Sequence, residues 1–382
     1  MVYNQDDIRQ LIRQGENHAV EFKSSQVHPD SLAKEMTAFA NSYGGVILLG
    51  VDDKGNIEGL SEDRHWEEWV ANVSRNNIIP PVLSAYQEID IDDRKVVVIT
   101  IEKGIERPYQ TSRSLFLVRV GSTSRTATQG ELMRLFQQAG LFHFDLTPVR
   151  HTGLKELNLT KIADYFQRWD VDITDEEELE TLLANTDILT RDGRVTVAGL
   201  LLFGLQPQRF LSNSSIIFAH YLGDKPDSEL LDRQVVEGTL DYQVDTSLTV
   251  IKHNMRNPSI IEGGKREPTA LHYPDKVLRE LLVNACVHRN YAISGSRIRI
   301  LLFHDRLEFI SPGRLPNTVT VEKLRSGVSY AVNPVIVKFM ENLRYIDKLG
   351  RGLPMVYREA HKLGREAVFE EFGEEFRVTL PL

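Results

Sequence analysis

The stretch that most constrains the fold is residues 16–55, in which two strand patterns flank one helix pattern. Residues 19–23 alternate apolar and charged side chains, which is typical of a half-buried strand. Residues 31–43 repeat apolar side chains at helical spacing, and two glycines follow. Residues 46–51 are a short apolar run that indicates a fully buried strand. The stretch therefore predicts a strand, a helix and a second strand in this order.

Acidic side chains accompany both predicted strands. In the first strand, Val20 and Phe22 would face a core while Glu21 faces the other way, because side chains alternate between the two faces of a sheet. The second strand delivers Asp52 to its exit. If the two strands are neighbours in one sheet, Glu21 and Asp52 would lie close together at its edge.

The same stretch resembles the AlbA-type Schlafen domain, and the resemblance extends over most of residues 1–140. It is carried by Gly15-Glu16, Val20-Glu21-Phe22-Lys23, Ala38-Phe39-Ala40-Asn41-Ser42-Tyr43-Gly44-Gly45 and Gly50-Val51-Asp52-Asp53. Members of that family bind nucleic acid, and some are metal-dependent RNases whose site combines two glutamates with an aspartate. By position, the resemblance implies that Glu16, Glu21 and Asp52 are the catalytic and metal-binding residues, with Asp53 as a second candidate for the aspartate.

Two interpretations of these carboxylates remain open. Hard divalent ions such as Mg²⁺ or Mn²⁺ prefer carboxylate oxygens and can activate water for attack on a phosphodiester. Alternatively, the residues are the charged outer face of a strand followed by an Asp-Asp-Lys-Gly hairpin turn. The domain would then bind nucleic acid without cutting it.

Residues 107–134 are rich in arginine, with hydroxyl and aromatic side chains between the arginines. Five arginines occur there against a single acid, Glu131. This mixture suits phosphate contacts and base stacking, and residues 118–123 resemble a segment of Schlafen-type domains. A solvated arginine face beside an acidic surface is the alternative. The residues expected to contact nucleic acid are Lys23, Arg113, Arg119 and Arg125.

The middle of the chain predicts a linker and helices. Residues 147–153 read as a linker, and residues 157–169 and 176–189 as two helices. A helix-turn-helix is possible there, but residues 170–180 are strongly acidic, which favours a packing or connecting role over DNA reading. Residues 195–204 predict a buried strand or strand pair, and residues 235–255 a long helix.

A second candidate site begins on a predicted helix at residues 277–291. Glu280, Asn284 and His288 recur every four residues and therefore form one polar stripe. A Glu and an Asn one helical turn apart can hold a water molecule and a divalent ion together. An exposed polar stripe on a surface helix is the alternative.

Two further segments strengthen this candidate site. A strand pair is predicted at residues 298–303 and 307–310, followed by Ser311-Pro312-Gly313. Residues 348–356 place a glycine pair at the start of a helix. Backbone amides at such a helix start, beside Arg351, would suit phosphate.

Together these segments resemble the divergent GHKL-type (histidine-kinase-like, helicase-related) ATPase domain, over about residues 190–380. The resemblance implies that Glu280 is the water-activating base and Asn284 the Mg²⁺ ligand. Gly350 and Gly352 would touch phosphate. GHKL proteins read adenine with the aspartate of an Asp-x-Gly-x-Gly box, and this chain has Ser311-Pro312-Gly313 instead, so Gly313 is expected at the nucleotide but an adenine-reading aspartate is missing.

Composition excludes several classes of protein. The single cysteine, Cys286, excludes a disulfide framework and a Cys-based zinc site. The chain has no Walker A motif, no run of about 18 apolar residues and no basic-then-apolar leader, so we expect a cytoplasmic protein without a membrane partner. The formal charge of −9 argues against a protein that coats nucleic acid through bulk positive charge, although residues 271–382 carry more basic than acidic side chains.

We therefore expect an α+β protein with a Schlafen/AlbA-type mixed domain at residues 1–145, a helical connector at 146–190 and a GHKL-like α/β sandwich at 191–382. The leading hypothesis is a homo-oligomeric protein that binds RNA or DNA and is regulated by ATP. This protein either cuts the nucleic acid with Mg²⁺ or Mn²⁺ or only binds it, and it would act in defence or a stress response. One alternative is a non-catalytic transcriptional regulator in which the ATPase-like fold is a scaffold. Another is an ATP-hydrolysing switch whose first domain recognises a partner.

Overall fold

The chain forms two compact units, Met1–Phe142 and His143–Leu382. The computed structural model describes residues 2–61, 64–171, 175–255, 261–262, 265–266, 273–328, 330–346 and 350–382. In these ranges, none of the helices has the length and apolarity that a membrane crossing requires. The expected α+β fold class is confirmed, with a mixed sheet in each unit and helices between the two sheets along the chain.

The first unit alternates helices with short strands. Its elements are α1 (Gln5–Gln14), β1 (Val20–Lys23), α2 (Pro29–Asn41), β2 (Gly44–Leu49), α3 (Trp66–Asn76), β3 (Ile78–Ile79), β4 (Ser84–Ile91), β5 (Arg94–Glu102), β6 (Gln110–Thr111), β7 (Leu117–Val120), β8 (Thr123–Thr126) and α4 (Gln129–Gln138). The predicted strand, helix and strand are β1, α2 and β2.

The main sheet of the first unit has the strand order β1-β2-β5-β4. Strands β1 and β2 are parallel neighbours, and the other pairs are antiparallel. Helix α1 covers one face through Ile8, which packs in one core cluster with Val20 and Phe22. Helices α2 and α3 cover the other face, where Phe39 and Val70 share a second core cluster.

This double cover corrects the expectation of a half-buried strand at β1. Glu21 does point away from Val20 and Phe22, but its side chain is buried under the α2 side of the sheet. Glu21 lies beside Ile47 in the parallel register, whereas Asp52 follows β2 in a turn, just after the Val51 amide donates to the Lys23 carbonyl at 3.2 Å. The two carboxylates therefore have different surroundings, one in a buried strand and the other in the turn after β2.

The second unit contains the longer helices and a larger sheet. Its elements are α5 (Leu159–Gln167), α6 (Glu176–Asn185), α7 (Val197–Phe203), β9 (Ile216–Tyr221), β10 (Leu230–Val236), α8 (Leu240–Asn254), β11 (Ile261–Glu262), β12 (Lys265–Arg266), α9 (Asp275–Val287), β13 (Ile298–Leu302), β14 (Arg306–Pro312), α10 (Val321–Arg325), α11 (Pro334–Asn342), α12 (Gly352–Lys362), β15 (Val368–Phe372) and β16 (Glu375–Pro381).

Six strands form the sheet of the second unit, in the order β10-β9-β13-β14-β16-β15. Only the β9–β13 pair is parallel among these neighbours. Side chains such as Phe218 and Phe309 share one core with Leu282 of α9 and Ile251 of α8. The core also includes Leu183 of α6, so the middle helices pack within this unit.

Two predicted elements of the second unit were wrong. Residues 195–204 form helix α7 instead of a strand, because Thr196 caps the helix by accepting a hydrogen bond from the Gly199 amide at 3.0 Å. Residues 235–255 are not one helix, because the chain leaves strand β10 and turns at Gly238 before α8 begins at Leu240.

Candidate functional site

A cavity in the second unit lies between helix α9, the end of strand β14 and the start of helix α12. The centre of a water molecule can occupy about 130 Å³ of it. Most of its described lining is apolar, including Phe309, Val319 and Val378. It also gathers most of the second set of predicted site residues, namely Glu280, Asn284, Gly313, Gly350 and Gly352.

The predicted polar stripe of α9 lies along this cavity. Glu280, Asn284 and His288 all line it. The Asn284 Nδ2 atom donates a hydrogen bond to Glu280 Oε1 at 2.6 Å and another to the Glu280 carbonyl at 2.8 Å. The carboxylate and the amide are thus held together on one wall of the cavity. The same contacts fix the orientation of the Asn284 side chain and therefore the position of its Oδ1 atom.

Gly350 and Gly352, at the start of α12, form one end of the cavity, and Gly352 lies against Glu280. A Cβ atom at Gly352 would overlap the Glu280 carboxylate, so only glycine allows this approach. Gly350 has a φ of +64° and lies against the backbone of Gly327. Arg351 is exposed and is not among the residues that line the cavity, and Lys348 and Leu349 of the predicted motif lie outside the described residues.

The opposite end of the cavity is formed where α9 ends and β14 turns. Ser311 donates a hydrogen bond from its Oγ atom to the Ala285 carbonyl at 2.8 Å. Gly313 has a φ of +125°, and a Cβ atom there would lie 2.9 Å from the Asn290 Cβ atom. The Ser311-Pro312-Gly313 segment therefore lies on α9 itself, with the serine hydroxyl already used by the helix.

Charge in the cavity is concentrated at the end that Glu280 and Gly352 form. Glu280 is the only carboxylate among the described residues of its lining. Among the described lining residues, Arg314 is the one permanent cation. Its Nε atom donates to the Gly373 carbonyl at 2.8 Å, so the side chain is directed toward the β15–β16 turn. A carboxylate that could read a base at the opposite end is missing from the described lining.

His288 lies at the opposite end, together with Ser311. It is the C-cap residue of α9, and burial lowers the pKa of its imidazole to about 4, so the ring is neutral near pH 7. Asn333, which is fully buried, donates from Nδ2 to the Val287 carbonyl at 2.8 Å and to the Arg289 carbonyl at 2.9 Å. The helical spacing had placed His288 on the stripe, but no sequence pattern indicated Asn333.

The cavity residues fit a nucleotide with its divalent ion. Asn284 Oδ1 and the Glu280 carboxylate are oxygen donors of the kind that Mg²⁺ accepts, and Mg²⁺ usually keeps waters and phosphate oxygens as its other ligands. No group of three or more His, Cys, Asp or Glu side chains able to hold a metal occurs in the described part of the chain. An ion at Asn284 would therefore depend on the ligand for most of its coordination.

In the first unit, the predicted site residues divide between a buried ion-pair network and the surface. The network centres on Arg119, whose side chain is 1% exposed. Its guanidinium lies 2.7 Å from Glu21 Oε2 and 3.2 Å from Glu35 Oε2, and it donates to the carbonyls of Asn17 and Val20. Arg119 was expected at phosphate, but this burial gives it a structural position.

The same network contains Lys23 and Glu35. Lys23 forms an ion pair with Glu21 from the end of strand β1. Glu35 accepts a hydrogen bond from the Ser124 hydroxyl at 2.5 Å, yet burial outweighs this bond and raises the pKa of the Glu35 carboxyl. Glu35 was missed in the sequence, because its position in the middle of helix α2 gives no sign that it meets Arg119 from a distant strand.

Glu16 and Asp52 are occupied by backbone contacts in their own segments. Glu16 Oε1 accepts a hydrogen bond from the Phe22 amide at 3.0 Å. Asp52 accepts from the amides of Lys54 and Asn56 and from the Asn56 side chain, and these bonds lower the pKa of its carboxyl. Asp52 thus closes the predicted hairpin turn. The three carboxylates do not share a site in this structure.

We call residues 107–134 the arginine strip, and the exposed arginines of this strip each have an acidic partner. Arg113 forms an ion pair with Asp30, and Arg125 forms a two-pronged contact with Glu131 at 2.8 Å for both bonds. The Arg125 contact lowers the pKa of the Glu131 carboxyl to about 2. Both pairs are at the surface, where phosphate could compete with the carboxylates.

Two family models match separate parts of the chain. Residues 16–128 match the model described as "Schlafen, AlbA_2". Residues 295–380 match the HATPase_c_4 model, described as "Putative ATP-dependent DNA helicase recG C-terminal". No curated protein matches the chain.

Two solved structures are similar to the chain at low identity. The DIP2311 protein from Corynebacterium diphtheriae is 23% identical, with a TM-score of 0.47, over 95% of this chain and 75% of that protein. The N-terminal domain of a RecG-related protein from Nitrosomonas europaea is 20% identical, with a TM-score of 0.27, over 33% of this chain and 95% of that domain.

Proposed function

This chain combines an N-terminal Schlafen AlbA_2 domain with a RecG-related C-terminal domain of the HATPase_c_4 family, and from this premise we propose that it is a nucleotide-regulated nucleic-acid-binding protein. The second unit binds a nucleoside triphosphate with Mg²⁺. The first unit binds RNA or DNA, and the bound nucleotide changes the affinity for that nucleic acid.

The observation that carries the proposal is the cavity of the second unit. It combines an apolar wall, the Glu280–Asn284 pair and the glycines before α12, which are separate in sequence. Ligand cavities are mostly apolar with a few polar groups that orient the ligand. Asn284 would hold the Mg²⁺, which neutralises phosphate charge when bound. Glu280 is placed beside it to accept a proton from water, so hydrolysis of the triphosphate is the reaction that this arrangement would support.

The role of the first unit rests on its family and on its surface arginines. Schlafen-type domains bind nucleic acid, and Arg113 and Arg125 are accessible on this unit. Cleavage is not part of the proposal, since Glu16 and Asp52 are used by backbone amides and Glu21 pairs with Arg119.

Nucleotide binding is tested by calorimetric titration of the full chain with Mg²⁺ and ATP. Gly352→Ala should weaken binding, because the added Cβ would push the Glu280 carboxylate into the end of the cavity where the phosphates and Mg²⁺ would lie. Gly295→Ala is the matched control, since a Cβ at Gly295 meets no atom within 4 Å. Asn284→Ala should remove the Mg²⁺ dependence of whatever binding remains.

Wild-type protein that binds no nucleoside triphosphate would refute the nucleotide half of the proposal. Equal affinity for Gly352→Ala and Gly295→Ala would show that the ligand lies elsewhere. Regulation is tested by measuring the affinity for labelled tRNA, single-stranded DNA and duplex DNA with and without ATP. Nucleic-acid binding that is indifferent to nucleotide would favour the regulator with a scaffold domain.

A further inference from the structure

We propose that His288 contacts the base of the bound nucleotide, in the role that a carboxylate would otherwise fill. The inference rests on the proposed function and concerns the same cavity. Its starting point is the absence of a base-reading acid from the described lining, where Glu280 is the sole carboxylate. A nucleotide site with an apolar wall still needs a polar group to fix the orientation of the base.

The first step of the argument is distance along α9. Glu280 and His288 are eight residues apart on one stripe, which corresponds to about 12 Å along a helix axis. Gly352 marks the Glu280 end as the place where backbone approaches the carboxylate most closely. Because the proposed function puts Mg²⁺ at Asn284, one turn from Glu280, the Glu280 end is the phosphate end, and the stripe spans a length comparable to that of an extended nucleotide.

The second step is the environment of His288. The end of α9 meets the turn after β14, where Gly313 lies against Asn290. Val332, the residue before Asn333, also lines the cavity. Ser311 also lines the cavity, but its hydroxyl donates to the Ala285 carbonyl. The ring nitrogens of His288, in contrast, have no hydrogen-bond partner among the described residues, so they are available to a ligand.

The third step is rigidity. Val287 and Arg289, the residues on either side of His288, both have their carbonyls held by Asn333 Nδ2. These bonds fix the backbone of a residue that stands just past the regular helix. A side chain on an ordered backbone loses less conformational entropy on binding than one on a mobile segment.

The fourth step is chemistry. A neutral imidazole presents one N–H donor and one acceptor nitrogen, and the edge of a base offers acceptors and donors that match them. A neutral ring suits a base, whereas phosphate would favour a cation. One such hydrogen bond gives weak discrimination, so ATP and GTP should bind with affinities within about tenfold of each other.

The test compares two ligands that differ only in the base, Mg²⁺·ATP and Mg²⁺·ribose 5-triphosphate. His288→Leu should weaken ATP binding by about 3- to 10-fold, the loss expected for one hydrogen bond. Its affinity for ribose 5-triphosphate should equal that of the wild type. His288→Gln, which retains a donor and an acceptor, should recover most of the ATP affinity. Asn284→Ala is the opposite control and should weaken both ligands.

Equal losses for both ligands in His288→Leu would overturn the inference and place the imidazole at phosphate or ribose. Unchanged ATP affinity in His288→Leu would also overturn it. If His288→Leu does not fold, His288→Gln and His288→Ala are titrated in its place, and the ratio of the two affinities decides. Failure of the proposed function shows in the wild type, which would bind neither ligand, whereas failure of this inference shows only in the variants.

Discussion

At the scale of single residues, buried charges in the two units have opposite surroundings. Arg119 is surrounded by carboxylates and carbonyls that compensate its charge. Asp145, which is fully buried, accepts from the amides of Val335 at 2.8 Å and Ile336 at 3.3 Å. Each is expected to affect stability more than a surface charge does, and each gives a prediction.

The first prediction concerns Glu21. Glu21→Ala should lower the free energy of unfolding by about 3–5 kcal/mol, because it leaves Arg119 buried with one of its carboxylate partners removed. Urea denaturation followed by tryptophan fluorescence reports on this unit, since Trp66 and Trp69 lie in α3.

Glu88→Ala is the control for that measurement. Glu88 forms an exposed ion pair with Lys95 in the same unit, so its loss should cost less than about 1 kcal/mol. Similar losses for the two variants would contradict the ion-pair network. A nuclease assay that uses Glu21→Ala as its inactive control would confuse unfolding with lost catalysis.

The second prediction concerns pH. Burial raises the pKa of Asp145 from 3.8 to about 6, so the native state holds this proton more tightly than the unfolded chain. Stability from this group is thus present below about pH 4, falls as the pH rises to about 6 and is constant above that.

Asp145→Asn, which cannot ionise, isolates this effect. The free energy of unfolding of the variant minus that of the wild type should rise by roughly 2.5 kcal/mol between pH 4 and pH 7, since each pKa unit corresponds to about 1.4 kcal/mol and part of the change lies below pH 4. Chemical denaturation at a series of pH values gives this difference. Parallel curves for the two proteins would show that Asp145 does not titrate in this range.

At the scale of elements, the predicted helices and strands were most accurate where a periodic pattern was clear and were wrong where the pattern was short or uniform. Strand β1 and helix α2 lie within two residues of their predicted bounds, because alternation and amphipathic spacing are local signals. Helix α7 was predicted as a strand, since an uninterrupted apolar run fits either buried structure. The capping position of Thr196 was the available signal that distinguished them.

The third prediction follows from that cap. Thr196→Ala should destabilise the second unit by about 1–2 kcal/mol, because the Thr196 hydroxyl accepts from the Gly199 amide and also donates to the Asp187 carbonyl at 2.7 Å. Amide hydrogen exchange over residues 197–203 should become faster. Thr196→Ser keeps the hydroxyl and should retain protection, and loss of protection in the serine variant would contradict the capping role.

The candidate sites show the same division between local and long-range information. Glu280, Asn284 and His288 could be placed on one face from spacing alone, because a helix fixes their relation. Glu21, Glu35 and Arg119 meet only because α2 packs against β7 and Arg119 of β7 reaches β1, which no local pattern encodes. For this reason the sequence predicted surface roles for residues that the fold buries.

At the scale of the whole molecule, a net charge of −9 limits how nucleic acid can be held. Binding must use a few local cations in place of a broad positive surface. Arg113 and Arg125 are exposed candidates, each already paired with an acid that phosphate must replace. The affinity for nucleic acid should therefore be modest and only moderately dependent on salt.

The fourth prediction gives that dependence a value. The slope of log K against log salt for duplex DNA should be about −2 to −3, and Arg125→Ala should reduce its magnitude by about 1, as expected for one lost phosphate contact. Fluorescence anisotropy at several salt concentrations measures the slope. Arg9→Ala removes an exposed arginine on α1, outside the strip, and should leave it unchanged. Equal effects of the two variants would contradict a specific role for the strip.

The position of β16 in the sheet has a consequence for how the protein is made. This strand lies between β14 and β15, and its Phe376 and Val378 line the cavity, although it comprises residues 375–381. The main sheet of the first unit is complete by Glu102. On the ribosome, the first unit can thus fold while the second still lacks an inner strand, for roughly 10 s or more at ~5–20 residues per second. Under the proposed function, a nascent chain would pass through a period in which it can bind nucleic acid before it can bind nucleotide.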